Sequence, residues 1–251
     1  MKKALQFLRK NPEINFFIWA FILWTALMCN ENAKEGGDFK WHDLKVEANG
    51  MIFDLFVFGI LVTTYNAIRA RKEKIERLKE ELEDYQDWHE KEARFRIVGI
   101  IKRLVKEGIK KIDLRKCFLV EASFGKIDLS GSHFDMAILT DANFYHSVLV
   151  SSTFKAATLN GCIFHGTDLT DADFSNADLR GTKFSKGTNL TKAKFKDSIV
   201  LKTKSYLLVE YEEYPLKSDV WFRELEKAEV IGWEEIENKY YVDKNGTLQL
   251  K

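Results

Sequence analysis

The chain has 251 residues, room for two or three units, and its 39 basic and 38 acidic residues leave a formal net charge of +1. That balance excludes a whole-molecule field aimed at nucleic acid or acidic substrates. Cys29, Cys117 and Cys162 form no C-x-x-C pair and no metal spacing, and a core role for Cys117 and Cys162 outweighs a reactive one.

The first ten residues carry Lys2, Lys3, Arg9 and Lys10, and Asn11-Pro12 supplies a helix cap with proline at the first helical position. Ile14 to Cys29 is uncharged and apolar, with Trp19 and Trp24. A membrane span takes about 20 residues, with a lower limit of about 17, so 14–29 reads as a short one. The charged start also fits a signal peptide. The lack of an A-x-A site, and Met28 before Cys29, favour an uncleaved span. Residues 30–50 are polar, with five acids (Glu31, Glu35, Asp38, Asp43, Glu47) against three lysines. Met51 to Ile68 is a second apolar run, followed at once by Arg69, Arg71, Lys72 and Lys74. Bases at both open ends of this hairpin place both termini in the cytoplasm and 30–50 outside. Cleavage at the first run would leave the second span running in the same direction.

The second span holds Asp54, with Thr63, Thr64, Tyr65 and Asn66 near its other end. One turn inside a helix N-terminus the dipole favours an anion, which is the plain interfacial reading. Acids in membrane spans also face bundle interiors or water paths. A heptad seam supports that sharper reading: Asp54, Val57, Leu61, Thr64 and Ile68, then Ile75, Leu78, Leu82 and Tyr85. Arg71 and His89 interrupt it, and a straight helix drifts from such a register. The seam is a candidate oligomer or pore face.

From Arg69 to Glu92 the chain reads as a charged helix, with Glu73/Arg77 and Lys79/Glu83 four apart. It is either a solvated stalk or a short parallel coiled coil that makes a homo-oligomer. Phe95, Ile97, Ile100, Ile101, Leu104 and Val105 then form an amphipathic stretch ending at Gly108.

Ile112 to about Val200 is periodic in fives. Fifteen successive fifth residues are Leu or Phe: Leu114, Leu119, Phe124, Leu129, Phe134, Leu139, Phe144, Leu149, Phe154, Leu159, Phe164, Leu169, Phe174, Leu179 and Phe184. Two positions before the centres sit small residues such as Ala122, Ser132, Ala142, Cys162 and Ala177. Fixed-period self-similarity marks a repeat architecture, and five fits neither an amphipathic helix nor an alternating strand. The segments ADFSN, ADLRG, IDLSG and TDLTD resemble the A(D/N)LXX consensus of the pentapeptide-repeat family. That resemblance covers about a third of the chain. It implies a right-handed quadrilateral β-helix, one pentapeptide per side and about twenty residues per coil, with centres and small residues inward. Phe columns would then occupy two opposite sides and Leu columns the other two. The register slips by one at Lys186-Gly187-Thr188, so Leu190, Phe195 and Val200 continue it displaced, with a bulge at the glycine. Open coil ends need caps, and the stretch 93–108 reads as the N-terminal one.

Function in such a rod has to lie on outward positions. Ten acids balance ten bases between Ile112 and Val200, which argues against the family's DNA mimicry directed at gyrase. Phe118, Val120 and Ile138 on one side, and Val148 and Val150 on another, form an outward apolar patch that packs against the cap or another subunit. Asp168, Asp171, Asp173 and Asp178 are followed by a basic end, but no interleaved aromatic platform accompanies it, so nucleic acid is not the expected partner.

Residues 205–251 hold eleven acids against six bases. Tyr206 to Tyr211 alternates like an edge strand, Ser218-Asp219 opens a helix through Trp221, Leu225 and Ala228, and Tyr240–Val242 with Thr247–Leu250 reads as a hairpin. The simplest role is a C-terminal cap on the basic last coil, docked by Trp221, Phe222 and Trp233; a separate binding module is the other.

No catalytic constellation, metal spacing among His42, His89, His133, His146 and His165, or phosphate loop occurs, so neither enzyme nor cofactor is expected. The expected organisation is a transmembrane segment over 1–68 (spans 14–29 and 51–68), a helical stalk and cap over 69–108, the β-helix over 109–200 and a small α+β cap over 201–251. The leading expectation is a multi-pass protein of the bacterial inner membrane, in contact with lipid and homo-oligomeric. It would be a scaffold that presents a cytoplasmic rod to a protein partner. The alternative is a channel or toxin-like defence effector whose hairpin forms the pore, and gyrase binding is the weakest.

Overall fold

The computed structural model describes Ile18, Trp19, Ile22, residues 41–201 and residues 220–251. The expected span at 14–29 (those three residues apart), the loop up to residue 40, the strand at Tyr206–Tyr211 and the helix start at Ser218-Asp219 lie outside them. The chain divides into two units, Met1–Glu76 and Arg77–Lys251.

Helix α1 (Trp41–Glu83) runs unbroken for 43 residues. The expected polar loop therefore ends ten residues early: helix formers such as Leu44, Lys45, Glu47 and Ala48, with no proline, carry the helix back to Trp41. At the other end it stops at Glu83 instead of continuing to Glu92. The chain turns there because Gln86 pairs with Cys117 of the first coil and Asp87 takes a left-handed φ of 62°. Helix α2 (Lys91–Lys106) follows, with Ala93, Ile97, Ile100, Ile101 and Leu104 fully buried on one stripe. Phe95, read as part of that apolar stretch, is 68% exposed, because it falls off the i, i+4, i+7 face that the others share.

From Ile112 the chain winds in coils. Bridges join positions twenty apart, as in Asp113↔His133↔Thr153↔Asp173 and Phe118↔Ile138↔Thr158↔Asp178, all parallel. Strands β1 (Ile163–His165) and β2 (Lys183–Ser185) are one such rung lengthened. Most sides end in a turn of one kind. The N–H three residues after a centre donates to the centre's carbonyl (Ala137 to Phe134, 3.0 Å), and the residue before that donor has positive φ (Met136, 59°), the type II arrangement. An aspartate preceding the centre braces the corner: Asp173 Oδ1 accepts from the Ser175 N–H at 3.0 Å and its hydroxyl at 2.6 Å, and Asp168 does the same for Thr170.

Every centre from Leu114 to Phe184 is buried. Phe134, Phe154, Phe174 and Phe195 stack at 4.7, 5.0 and 5.1 Å, and Phe124, Phe144, Phe164 and Phe184 at 5.0, 5.0 and 5.4 Å. The two columns meet edge to face, as at Phe144–Phe154 (89°). Stacked and edge-to-face pairs each add about 0.5–1.5 kcal/mol to area burial, so this interior is the main source of stability. At Gly187 (φ 82°) one coil gains a residue, and Asp168, Asp173 and Asp178 pair with Asn189, Lys194 and Ile199, 21 positions on.

Residues 220–251 form α3 (Val220–Lys227), α4 (Trp233–Lys239), β3 (Tyr240–Val242) and β4 (Leu248–Leu250), with β3 and β4 antiparallel. The sequence reading had no counterpart for α4. These elements lie against the last coil. Trp221 meets Phe184 and Phe195 edge-on at 6.4 and 5.7 Å, Phe195 N–H donates to the Tyr240 hydroxyl, and Leu248 pairs with Asp197 and Ser198.

Candidate functional site

The first candidate surface is the apolar stretch of α1. Leu55, Phe58, Leu61, Tyr65 and Ile68 are exposed, with Phe58 at 66% and Leu61 at 61%. Among the described residues one helix, Phe53–Glu83, is long and apolar enough to cross a membrane. Asp54 is exposed on it, and Thr63 folds its hydroxyl back onto the Gly59 carbonyl at 2.7 Å.

The expected seam divides in two. Asp54, Val57, Leu61 and Ile68 are exposed and Thr64 is half-buried. Ile75 is half-buried, while Leu78 and Leu82 are only 6% and 2% exposed within the single chain. These two leucines belong to the chain's own core and are not free for a second copy. Arg103 of α2 reaches Glu81 on the same turns at 3.8 Å. Tyr85 stacks on Trp88 at 5.5 Å.

On the rod, Phe118, Val120, Ile138, Val148 and Val150 are all half-buried. The His89 ring lies edge-on to Phe118 at 6.1 Å, and Arg94 Nη1 donates to the Val120 carbonyl at 2.6 Å and to Glu121 at 2.7 Å. His89, between α1 and α2, thus lies against Phe118, and Arg94 of α2 is tied to the same coil through the Val120 carbonyl and Glu121.

A group that sequence reasoning missed lies on the third side of the rod, the one built on the centres Phe124, Phe144, Phe164 and Phe184. Tyr145 and His165 stack at 5.2 Å and 8°, and His146 meets Tyr145 edge-on at 4.2 Å. Twenty-residue spacing of outward rings was the available signal.

Other polar groups near these surfaces have partners or environments that the fold supplies. Burial pushes the thiols of Cys117 and Cys162 up to about 12, so they are poor ligands and nucleophiles. Hydrogen bonds from Arg115 hold Asp113 below the ordinary carboxylate value. Burial works the other way on Asp178, but Arg180, bonded at 2.5 Å, outweighs it and the net shift is downward. Lys186 pairs with Glu229 at 2.7 Å, and Lys192 N–H donates to Glu235, so the acidic C-terminal segment offsets part of the basic last coil. Among the described residues no group of three His, Cys, Asp or Glu could hold a metal ion.

Residues 110–144 and 147–185 match the pentapeptide-repeat family, in eight copies. No curated protein matches the chain. Among solved structures, Rfr23, a pentapeptide repeat protein from the cyanobacterium Cyanothece 51142, is 19% identical, with a TM-score of 0.35 over 36% of this chain and 61% of that one. A pentapeptide repeat protein from Nostoc Pcc 7120 is 20% identical, with a TM-score of 0.30 over 53% and 93%. QnrB1, a plasmid-mediated fluoroquinolone resistance protein, is 19% identical, with a TM-score of 0.18 over 34% and 61%. The chain thus spans 61% of the length of Rfr23 and of QnrB1. Its repeats are pentapeptide repeats, and they imply a right-handed quadrilateral β-helix.

Proposed function

We propose that this pentapeptide-repeat protein is a homo-oligomeric scaffold of a bacterial inner membrane, anchored by two spans, and that its rod serves a cytoplasmic protein partner rather than catalysis. Helix α2 and residues 220–251 act as the caps of the rod. The observation that carries the reading is the exposed apolar stretch from Phe53 to Ile68, followed at once by Arg69, Arg71, Lys72 and Lys74. Each such side chain held in water forgoes about 1.5–3 kcal/mol of burial, whereas hydrocarbon accepts it. The basic cluster belongs at the cytoplasmic headgroups.

Extraction of membranes with alkaline carbonate tests the anchor: the protein stays with the lipid and leaves it only in detergent. Release by carbonate alone would refute the reading. Light scattering in mild detergent tests the oligomer, and a monomer removes that part.

Asp54, exposed in an otherwise apolar stretch, favours a second reading in which the spans of several copies line a pore. Expression would then depolarise cells and Asp54→Asn would abolish the effect. Unchanged depolarisation in that variant removes Asp54 from any conduction path. The balanced charge of the rod continues to weigh against DNA mimicry.

A further inference from the structure

We propose that the third side of the rod docks an acidic, aromatic-bearing peptide segment of a partner protein, with the partner's ring stacking on Tyr145 above Gly125. The proposal rests on the reading of the rod as the partner-facing part of the protein. The side is built on the centres Phe124, Phe144, Phe164 and Phe184, whose rings stack inside. Outside, the successive positions of one ladder are Gly125, Tyr145, His165 and Ser185. Tyr145 and His165 stack at 5.2 Å and 8°, the same geometry as the Phe columns within. His165 is anchored in turn by Nδ1 to Ser185 Oγ at 2.8 Å. His146 braces Tyr145 edge-on at 4.2 Å, and its own ring lies over Gly166. Tyr145 is therefore held by the coil that follows and by its neighbour, while the rung preceding it is a glycine.

That rung has room. A Cβ at Gly125 would meet only the Tyr145 carbonyl oxygen at 3.4 Å and its Cβ at 3.9 Å, and Gly125 is not among the positive-φ glycines. Tyr145 itself remains 41% exposed. A planar ring at this level continues the stack by one member.

Charge selects the kind of segment that carries the ring. The outward and following corner positions of this side hold Lys126, Lys183 and Lys186 and no acid, Lys186 being paired with Glu229. On the preceding corner Glu121 is held by Arg94 at 2.7 Å, so Asp141, over Gly161, is the acid that remains beside this side against Lys126 and Lys183. An acidic segment meets its opposite sign here. Single-stranded nucleic acid is less suited, because it needs successive exposed stacking platforms along a basic track, and this side offers one open ring.

The test uses the full chain in detergent micelles and a fluorescein-labelled Asp-Glu-Trp-Glu-Asp peptide read by fluorescence anisotropy. Saturable binding is expected. Tyr145→Ala and Gly125→Leu should each weaken it by about tenfold, the first by removing the platform and the second by occupying the rung. Gly125→Ala, which fits without filling the rung, should bind like the parent, and the urea midpoints of all three report that the rod is intact. Absence of peptide binding, equal binding by Tyr145→Ala, or tighter binding of an oligo-dT strand would each overturn the proposal. Carbonate extraction is indifferent to these substitutions, so failure here is distinct from failure of the membrane reading.

Discussion

A pentapeptide has one residue in the left-handed region, and most of these are not glycine: Lys116, Glu121, Lys126, Met136, Asp141 and His146 all have φ between 51° and 60°. Each costs about 1–2 kcal/mol against the right-handed alternative. The corner hydrogen bonds and the buried centre offset that cost, and the aspartate before the centre is part of the compensation. Its frequency was legible in the sequence, and its task is local: an Asx bond to the N–H two residues on, which the corner geometry of the coil repeats side after side. The Asp173 and Asp178 carboxylates, subject first to burial, are drawn below their ordinary values by bonds from Ser175 and Arg180. Folded values below unfolded ones add stability that is complete above the unfolded pKa, about 3.9, and vanishes as pH falls through the folded value. The urea midpoint should thus hold steady down to about pH 5 and drop below about pH 4. Asp173→Asn with Asp178→Asn, which keeps the acceptors, should flatten that acid limb; an equally steep limb would acquit these carboxylates. Phe154→Ala, which breaks two stacked and two edge contacts, should cost about 3–5 kcal/mol in the same unfolding assay.

Among the elements, α1 shows what a periodic stripe can and cannot say. The apolar spacing through Leu78 and Leu82 was visible in the sequence, but spacing alone does not tell whether a stripe is covered by a second copy or by the same chain. The distinction depends on the turn at Gln86 and Asp87, a long-range pairing with the first coil that has no local signal. Leu82→Ala should therefore destabilise the protein by about 2–5 kcal/mol while leaving its oligomeric state in detergent unchanged. Leu61→Ala, at an exposed position, should leave the urea midpoint almost unmoved. The helix boundary at Trp41 was missed for a different reason: charge marked residues 30–50 as polar, and a polar sequence made of helix formers is still a helix.

At the scale of the whole molecule, the five-residue period made the rod legible because its inside is a simple lattice. Its outside and its ends were less so. The Tyr145–His165 stack needs the twenty-residue coil before the two rings become neighbours. Helix α4 is too short and too acidic to announce itself. The far end of the Phe columns is covered by Trp221 and Tyr240. Trp221→Asp should uncover those rings. Dynamic light scattering on that variant in detergent is expected to show time-dependent association beyond the parent particle, and its absence would deny the C-terminal segment a protective role.

The added residue at Gly187 carries a practical consequence. Thr188 bonds to Ser185 instead of to the centre, yet Phe174 still stacks on Phe195 at 5.1 Å. The coil accommodates the extra residue at that exposed corner, and the winding resumes in phase. A short Gly-Ser epitope spliced in beside Gly187 should therefore be carried without loss of solubility or melting temperature. Deleting the single residue Ala156, in a coil with nothing to spare, would pull every later centre off its column. The rod behaves like a thread with one generous stitch, and that stitch is where a label or a foreign loop can be sewn in.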